Sequence, residues 1–99
     1  MGAYEYDPAT SIQQNISSSL LLFPQPNQGR FTLAWKEGAN QEFHYELRDI
    51  QGRILSFKTV RLNAEGELLL DESSLSPGYY VLRIHNADAA AVIPLQITH

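Results

Sequence analysis

The chain has 99 residues, 43% hydrophobic and 18% charged, enough for one globular domain with a modest core and too few for two. A net charge of −4, with only 7 Lys plus Arg, argues against the dense phosphate contacts of a nucleic-acid binder. Without cysteine there are no disulfides, thiol nucleophiles or thiolate metal sites, and no apolar run, residues 20–23 included, approaches the length of a transmembrane helix.

Residues 1–19 begin aromatic and acidic at Tyr4, Glu5 and Tyr6, then run polar over residues 7–19. That run reads as a linker, because Ile12 and Ile16 are its only large apolar residues and cannot oppose the entropy of ordering it. The other reading is a first strand around residues 11–16, docked on a sheet edge. No basic region followed by an apolar one opens the chain, so the expectation is an intracellular protein or a fragment whose export signal lies upstream.

From residue 20 onward the pattern is β. Residues 20–23 predict a short strand, and residues 23–33 a corner punctuated by Pro24 and Pro26. The prolines remove two backbone donors and bias Phe23 and Gln25 towards extended backbone, while Asn27 and Gly29 are placed to take positive φ. Phe31, Leu33 and Trp35 then share one side at period two and should be core. Residues 36–40 predict a turn in which Gly38 and Asn40 supply positive φ.

Residues 42–48 alternate cleanly, with Phe43, Tyr45 and Leu47 inward and His44, Glu46 and Arg48 outward. Asp49 is placed to accept backbone N–H bonds in the next reversal, and Gly52 to sit left-handed. Residues 53–62 return as a long strand, where adjacent apolar Ile54 and Leu55 predict a twist or bulge. After a turn at residues 63–66, Leu68 and Leu70 share one face of a short strand, and Leu75 anchors the loop that follows. Pro77 and Gly78 suit the centre of a type II turn. Beyond it Tyr80, Leu82 and Ile84 point inward and Tyr79, Val81 and Arg83 outward. The last strand points Ile93, Leu95 and Ile97 inward and Pro94 away.

Short strands separated by turn signals predict an all-β fold, an immunoglobulin-like antiparallel β-sandwich of about seven strands. Proline within a strand is tolerated mainly at a sheet edge, so the last strand is expected there. Burying Phe31, Trp35, Tyr45 and Tyr80 should contribute about 1.5–3 kcal/mol each.

Chemistry finds little support. His44, His85 and His99 lack metal-ligand spacing and read as surface histidines. Glu65 with Glu67, and Asp71 with Glu72, read as solubility charges in or beside polar turns. Serines 17, 18, 19, 73 and 74 have no histidine-containing motif nearby, the turn glycines form no phosphate loop, and no alternating calcium loop occurs. Tyr79 alone is a weak signal for sugar stacking. No catalytic residue, cofactor or metal is therefore predicted.

The order of the turns resembles the C-terminal sorting domains of proteins exported by the type IX (Por) secretion system of Bacteroidota, type A, over residues 22–98. The stretches that carry the resemblance hold Pro24, Pro26 and Gly29, then Asp49 and Gly52, then Leu75, Pro77, Gly78 and Tyr80. The resemblance implies a non-enzymatic sandwich appended to a cargo protein, read by outer-membrane components of the machinery and removed by a sortase that attaches the cargo to the cell surface. The implied location is secreted or on the cell surface, reached through the periplasm and outer membrane. The chain departs from the family pattern in two ways: Gln25 stands where Asn is usual between the prolines, and no Lys or Arg accompanies the last strand.

Residues 2–6 are similar to the closing segment of some secreted parallel β-helix proteins of the same bacteria. This fits residues 1–19 as a linker and remnant of an upstream cargo domain, with residues 20–99 as the sorting domain. The partner surface is then expected on the edge strand carrying Val92, Ile93, Pro94, Leu95, Gln96 and Ile97, open to β-augmentation, with no nucleic acid and no membrane insertion. The alternative is an immunoglobulin-like module that binds carbohydrate or packs against a neighbouring domain of a secreted enzyme.

Overall fold

A computed structural model describes residues 14–98. Tyr4, Glu5, Tyr6, Ile12, His99 and the predicted linker up to residue 13 lie outside the described residues. Eight strands follow one another: β1 (Gln14–Asn15), β2 (Leu21–Phe23), β3 (Arg30–Ala34), β4 (Glu42–Asp49), β5 (Ile54–Arg61), β6 (Glu67–Asp71), β7 (Gly78–His85) and β8 (Ala89–Ile97). A single 3₁₀ turn, Lys36–Gly38, separates β3 from β4.

The strands form two sheets, one of five in the order β1-β8-β7-β4-β5 and one of three in the order β2-β3-β6. Every pairing between them is antiparallel except β1 on β8. The result is an antiparallel β-sandwich. Its core lies between the sheets and is built by the period-two residues: Phe31 and Leu33 from β3, Phe43, Tyr45 and Leu47 from β4, Leu82 and Ile84 from β7, and Leu95 and Ile97 from β8, all buried. Trp35 packs edge-on against Phe43 with ring centroids 6.2 Å apart, and Leu75 packs on the core from its loop.

β1 is the strand beyond the expected seven. Ile16 is 1% exposed, and its N–H donates to the Ala90 C=O at 2.8 Å, so residues 14–16 dock on the sheet as the strand reading of this segment had it. The expected bulge also occurs: Leu47 pairs with Ser56 but Arg48 pairs with Ile54, leaving Leu55 as the extra residue.

Three local expectations are corrected. Gly29 takes φ 103° and Asn40 φ 63°, but neither Asn27 nor Gly38 is in the positive-φ region. Gly38 is required for space instead, since a Cβ there would lie 2.4 Å from the Trp35 ring. Gly78 is the first residue of β7 with φ 156°, too extended for a type II turn; the reversal lies earlier and is closed by the Leu75 N–H on the Glu72 C=O at 3.1 Å.

Candidate recognition surface

The three turns that carry the family resemblance lie at one end of the sandwich. Across the five-stranded sheet, Asp49 pairs with Tyr80 and Tyr80 with Leu95; one step further out, Gly78 pairs with Ile97, and Ile97 is bridged to Asn27. Residues far apart in sequence thus meet around the C-terminal end of β8.

Each turn is fixed by its own side chains. In the proline corner the buried Asn27 accepts the Gly29 N–H on Oδ1 at 2.8 Å and donates from Nδ2 to the Pro24 C=O at 3.0 Å. Gly29 has two reasons to be glycine: its φ, and the Ser73 Cα that would lie 2.5 Å from an added Cβ. In the second turn Asp49 Oδ1 accepts the N–H groups of Gln51 and Arg53 at 2.9 and 3.0 Å, and Oδ2 accepts Arg53 Nε at 2.8 Å. Burial pulls the Asp49 carboxyl upward, but the Arg53 and Gln51 bonds outweigh it and hold the group below the usual carboxylate range. In the third, the buried Tyr80 donates its hydroxyl to the Ser76 C=O at 2.5 Å, four residues back along the chain. A shallow cleft of about 670 Å³ opens beside the corner, lined by Pro24, Pro26, Asn27, Arg30, Ser73 and Thr98 among others.

Val92 to Ile97 have β7 on one side and no strand on the other, so β8 is the last long strand of its sheet. Most of its outward backbone groups are nevertheless taken. Ser17 Oγ accepts the Val92 N–H at 3.0 Å. The Gln25 amide acts like a peptide group, donating to the Pro94 C=O at 2.8 Å and accepting the Gln96 N–H at 2.9 Å. Asn27 continues the row with its own backbone, donating to the Gln96 C=O at 3.1 Å and accepting the Thr98 N–H at 2.7 Å. Pro94 falls on this outward row, where its missing N–H leaves no gap in the β7 ladder. Glutamine in place of asparagine between the prolines has a physical consequence here: its longer side chain reaches the neighbouring strand.

Sequence reading missed two buried carboxylates. Glu72, expected as a solubility charge, is 9% exposed and accepts the Tyr45 hydroxyl on Oε2 at 2.7 Å, tying the two sheets together. Burial, then the bond to Glu72 and its charge, push the Tyr45 phenol up. Glu46 lies on the outer face as expected, opposite Arg83 and Phe57, yet is only 5% exposed. Arg48 Nη2 donates to Glu46 Oε2 at 3.0 Å, and Arg83 Nη1 lies 3.7 Å from Oε1. The Arg48 bond, against the opposing effect of burial and with the charges of Arg48, Arg83 and His85, holds the Glu46 carboxyl below its ordinary value. The Tyr45–Glu72 and Glu46–Arg83 contacts have no local sequence signal, because their partners lie far apart in the chain; Arg48, two residues from Glu46 on the same face of β4, is the one partner that alternation could have found.

His44 and His85, expected as unrelated surface residues, are cross-strand partners with rings 5.3 Å apart. Burial, then Arg83 and His44, pull the His85 imidazole below its ordinary pKa. Among the described residues no group of three or more His, Cys, Asp or Glu is placed to hold a metal ion. Tyr79 is 65% exposed on the outer face, with its hydroxyl 3.3 Å from Gln96 Nε2.

Compared with known proteins, residues 21–97 match the model of the family described as the Secretion system C-terminal sorting domain, the Por secretion tail. A search of curated proteins finds no match. The match covers most of the chain and all three turns, and with the β-sandwich on which they sit it makes this chain a member of the C-terminal sorting domains of type IX secretion.

Proposed function

We propose that residues 20–99 are a non-catalytic address label that carries an attached upstream cargo through the type IX system, by way of the periplasm and outer membrane, to the cell surface. The linker and remnant of that cargo, expected over residues 1–19, are confined to the part ahead of β1, since residues 14–16 belong to the sandwich, and the label's partners are outer-membrane export components and a sortase. The observation that carries the reading is the convergence of the proline corner, the Asp49 turn and the Tyr80 loop on the end of β8, within a chain that belongs to a sorting family. A fold alone would not support it; a family assignment with its signature turns gathered at one end does.

The recognition element includes Val92 to Ile97. Gln25 and Asn27 occupy the outward backbone groups of that strand, so contact there is made by the side chains of Val92, Pro94 and Gln96 rather than by an added strand. Attachment of cargo next to this element fits the docking of residues 14–16 on β8.

Fusing residues 7–99 to a periplasmic reporter, with and without residues 89–99, tests the reading. Export of the intact fusion and periplasmic retention of the shortened one support it. Retention of both in a host with the system overturns it.

A further inference from the structure

The two sheets have four outer edges, and they are not equivalent. The β8 edge is closed as described, and β2 is only 3 residues long. On β6 the Glu67 N–H and C=O are both taken by Asn63. β5 is the longest strand with none beyond it, 8 residues against 5 for β6 and 3 for β2.

The direction of its backbone groups follows from the ladder. Leu62 donates its N–H to the Gln41 C=O at 3.0 Å, so by antiparallel alternation Val60, Lys58 and Ser56 bond to β4 while Arg61, Thr59 and Phe57 point their N–H and C=O outward. Among the described residues none of these outward groups has a backbone partner. The side chains along the edge are exposed and apolar at Ile54 (50%), Leu55 (40%) and Phe57 (61%).

Charge selects the occupant. Residues 53–61 contain Arg53, Lys58 and Arg61 and no acid. Together with Arg48 on the adjacent β4 and Arg83 on β7 one strand further in, five of the chain's 7 Lys plus Arg lie on this half of the sheet against Glu42, Glu46 and Asp49, a local balance of +2 in a chain of net −4. Glu46 is engaged by Arg48 and Arg83, and Asp49 by Arg53. Lys58 reaches only the Tyr45 ring, at 5.2 Å, and has no carboxylate partner among the described residues. A second copy would set these cations against themselves.

We propose that β5 is a docking edge for an extended acidic strand of a partner protein. The strand adds through the outward backbone groups of Phe57, Thr59 and Arg61, with an apolar side chain against Phe57 and a carboxylate against Lys58. The proposal rests on the sorting reading in assigning that strand to an export component; the edge and its charge stand without it.

The probe is a blocked peptide of about nine residues alternating glutamate with valine or threonine, compared with its lysine counterpart, both added to the whole chain at about 1 mM. Amide hydrogen exchange is read by NMR. The acidic peptide is expected to slow exchange at Phe57, Thr59 and Arg61 by about tenfold, and to leave Gln96 and Thr98 unchanged. Thr59→Pro should abolish the effect, since it removes an outward N–H as Pro94 does on β8, and the fold-sparing surface change Lys58→Glu should reverse the preference between the peptides. Protection at Gln96 or Thr98 instead, equal protection by both peptides, no protection, or indifference to Lys58→Glu would overturn the proposal. In the reporter fusion, normal export with Lys58→Glu overturns the assignment to an export component, whereas retention of the unmutated fusion overturns the sorting reading itself.

Discussion

Tyr45 and Glu72 give the sharpest test of how the sandwich is held. Tyr45 sits on β4 with 0% exposure, Glu72 follows β6 in the opposite sheet with 9%, and 2.7 Å separates hydroxyl and carboxylate. Tyr45→Phe keeps the ring, its packing and the Lys58 contact, and removes only the donor to a buried carboxylate. A hydrogen bond to a charged group contributes roughly 1.5–3 kcal/mol. In a domain of this size each kcal/mol corresponds to about 4–8 °C, so the midpoint should fall by roughly 6–24 °C. Trp35, the single tryptophan, is buried beside Phe43 and reports unfolding by its fluorescence in urea or on heating. Adding Glu72→Gln completes a double-mutant cycle, in which the coupling should be about 1 kcal/mol or more. Loss of less than about 0.5 kcal/mol in Tyr45→Phe, or additivity of the two changes, would refute the claim that this bond ties the sheets.

Gly29→Ala should cost roughly 2–5 kcal/mol, because it combines a left-handed backbone with a close approach to Ser73. Gly52→Ala, with φ 87° but open space around its Cβ, should cost only about 1–2 kcal/mol, and urea midpoints of the two variants will rank them. Gln25→Ala should lower stability by about 0.5–1.5 kcal/mol and speed hydrogen exchange at the Gln96 amide, since its two bonds to β8 vanish together. Acid should weaken the fold in two steps of the same sign. The depressed His85 contributes stability in full above about pH 6.5 and loses it as pH falls through its folded value; the depressed Glu46 does so from about pH 4.3 downward. Thermal midpoints measured against pH should show the first step flattened in His85→Gln.

Alternation made most of the core legible, because period two in β3, β4, β7 and β8 depends only on which face meets the other sheet. The rule that keeps proline out of central ladders likewise located Pro94 on an outward-facing row. What escaped the sequence depends on residues far along the chain. β1 has two polar residues, and its order comes from the burial of Ile16 and from bonds to Asp88 and Ala90. Gln25 closes the β8 edge across 69 and 71 positions, and Glu72 meets Tyr45 across 27. The three family turns could be read individually; their meeting around the end of β8 required the strand register.

The most direct test of the sorting account is the fraction of a reporter fused to residues 7–99 that reaches the cell surface, compared between a host with the type IX system and the same host lacking that system. The account predicts surface reporter in the first and periplasmic reporter in the second. Periplasmic reporter in both, or surface reporter in both, would contradict it.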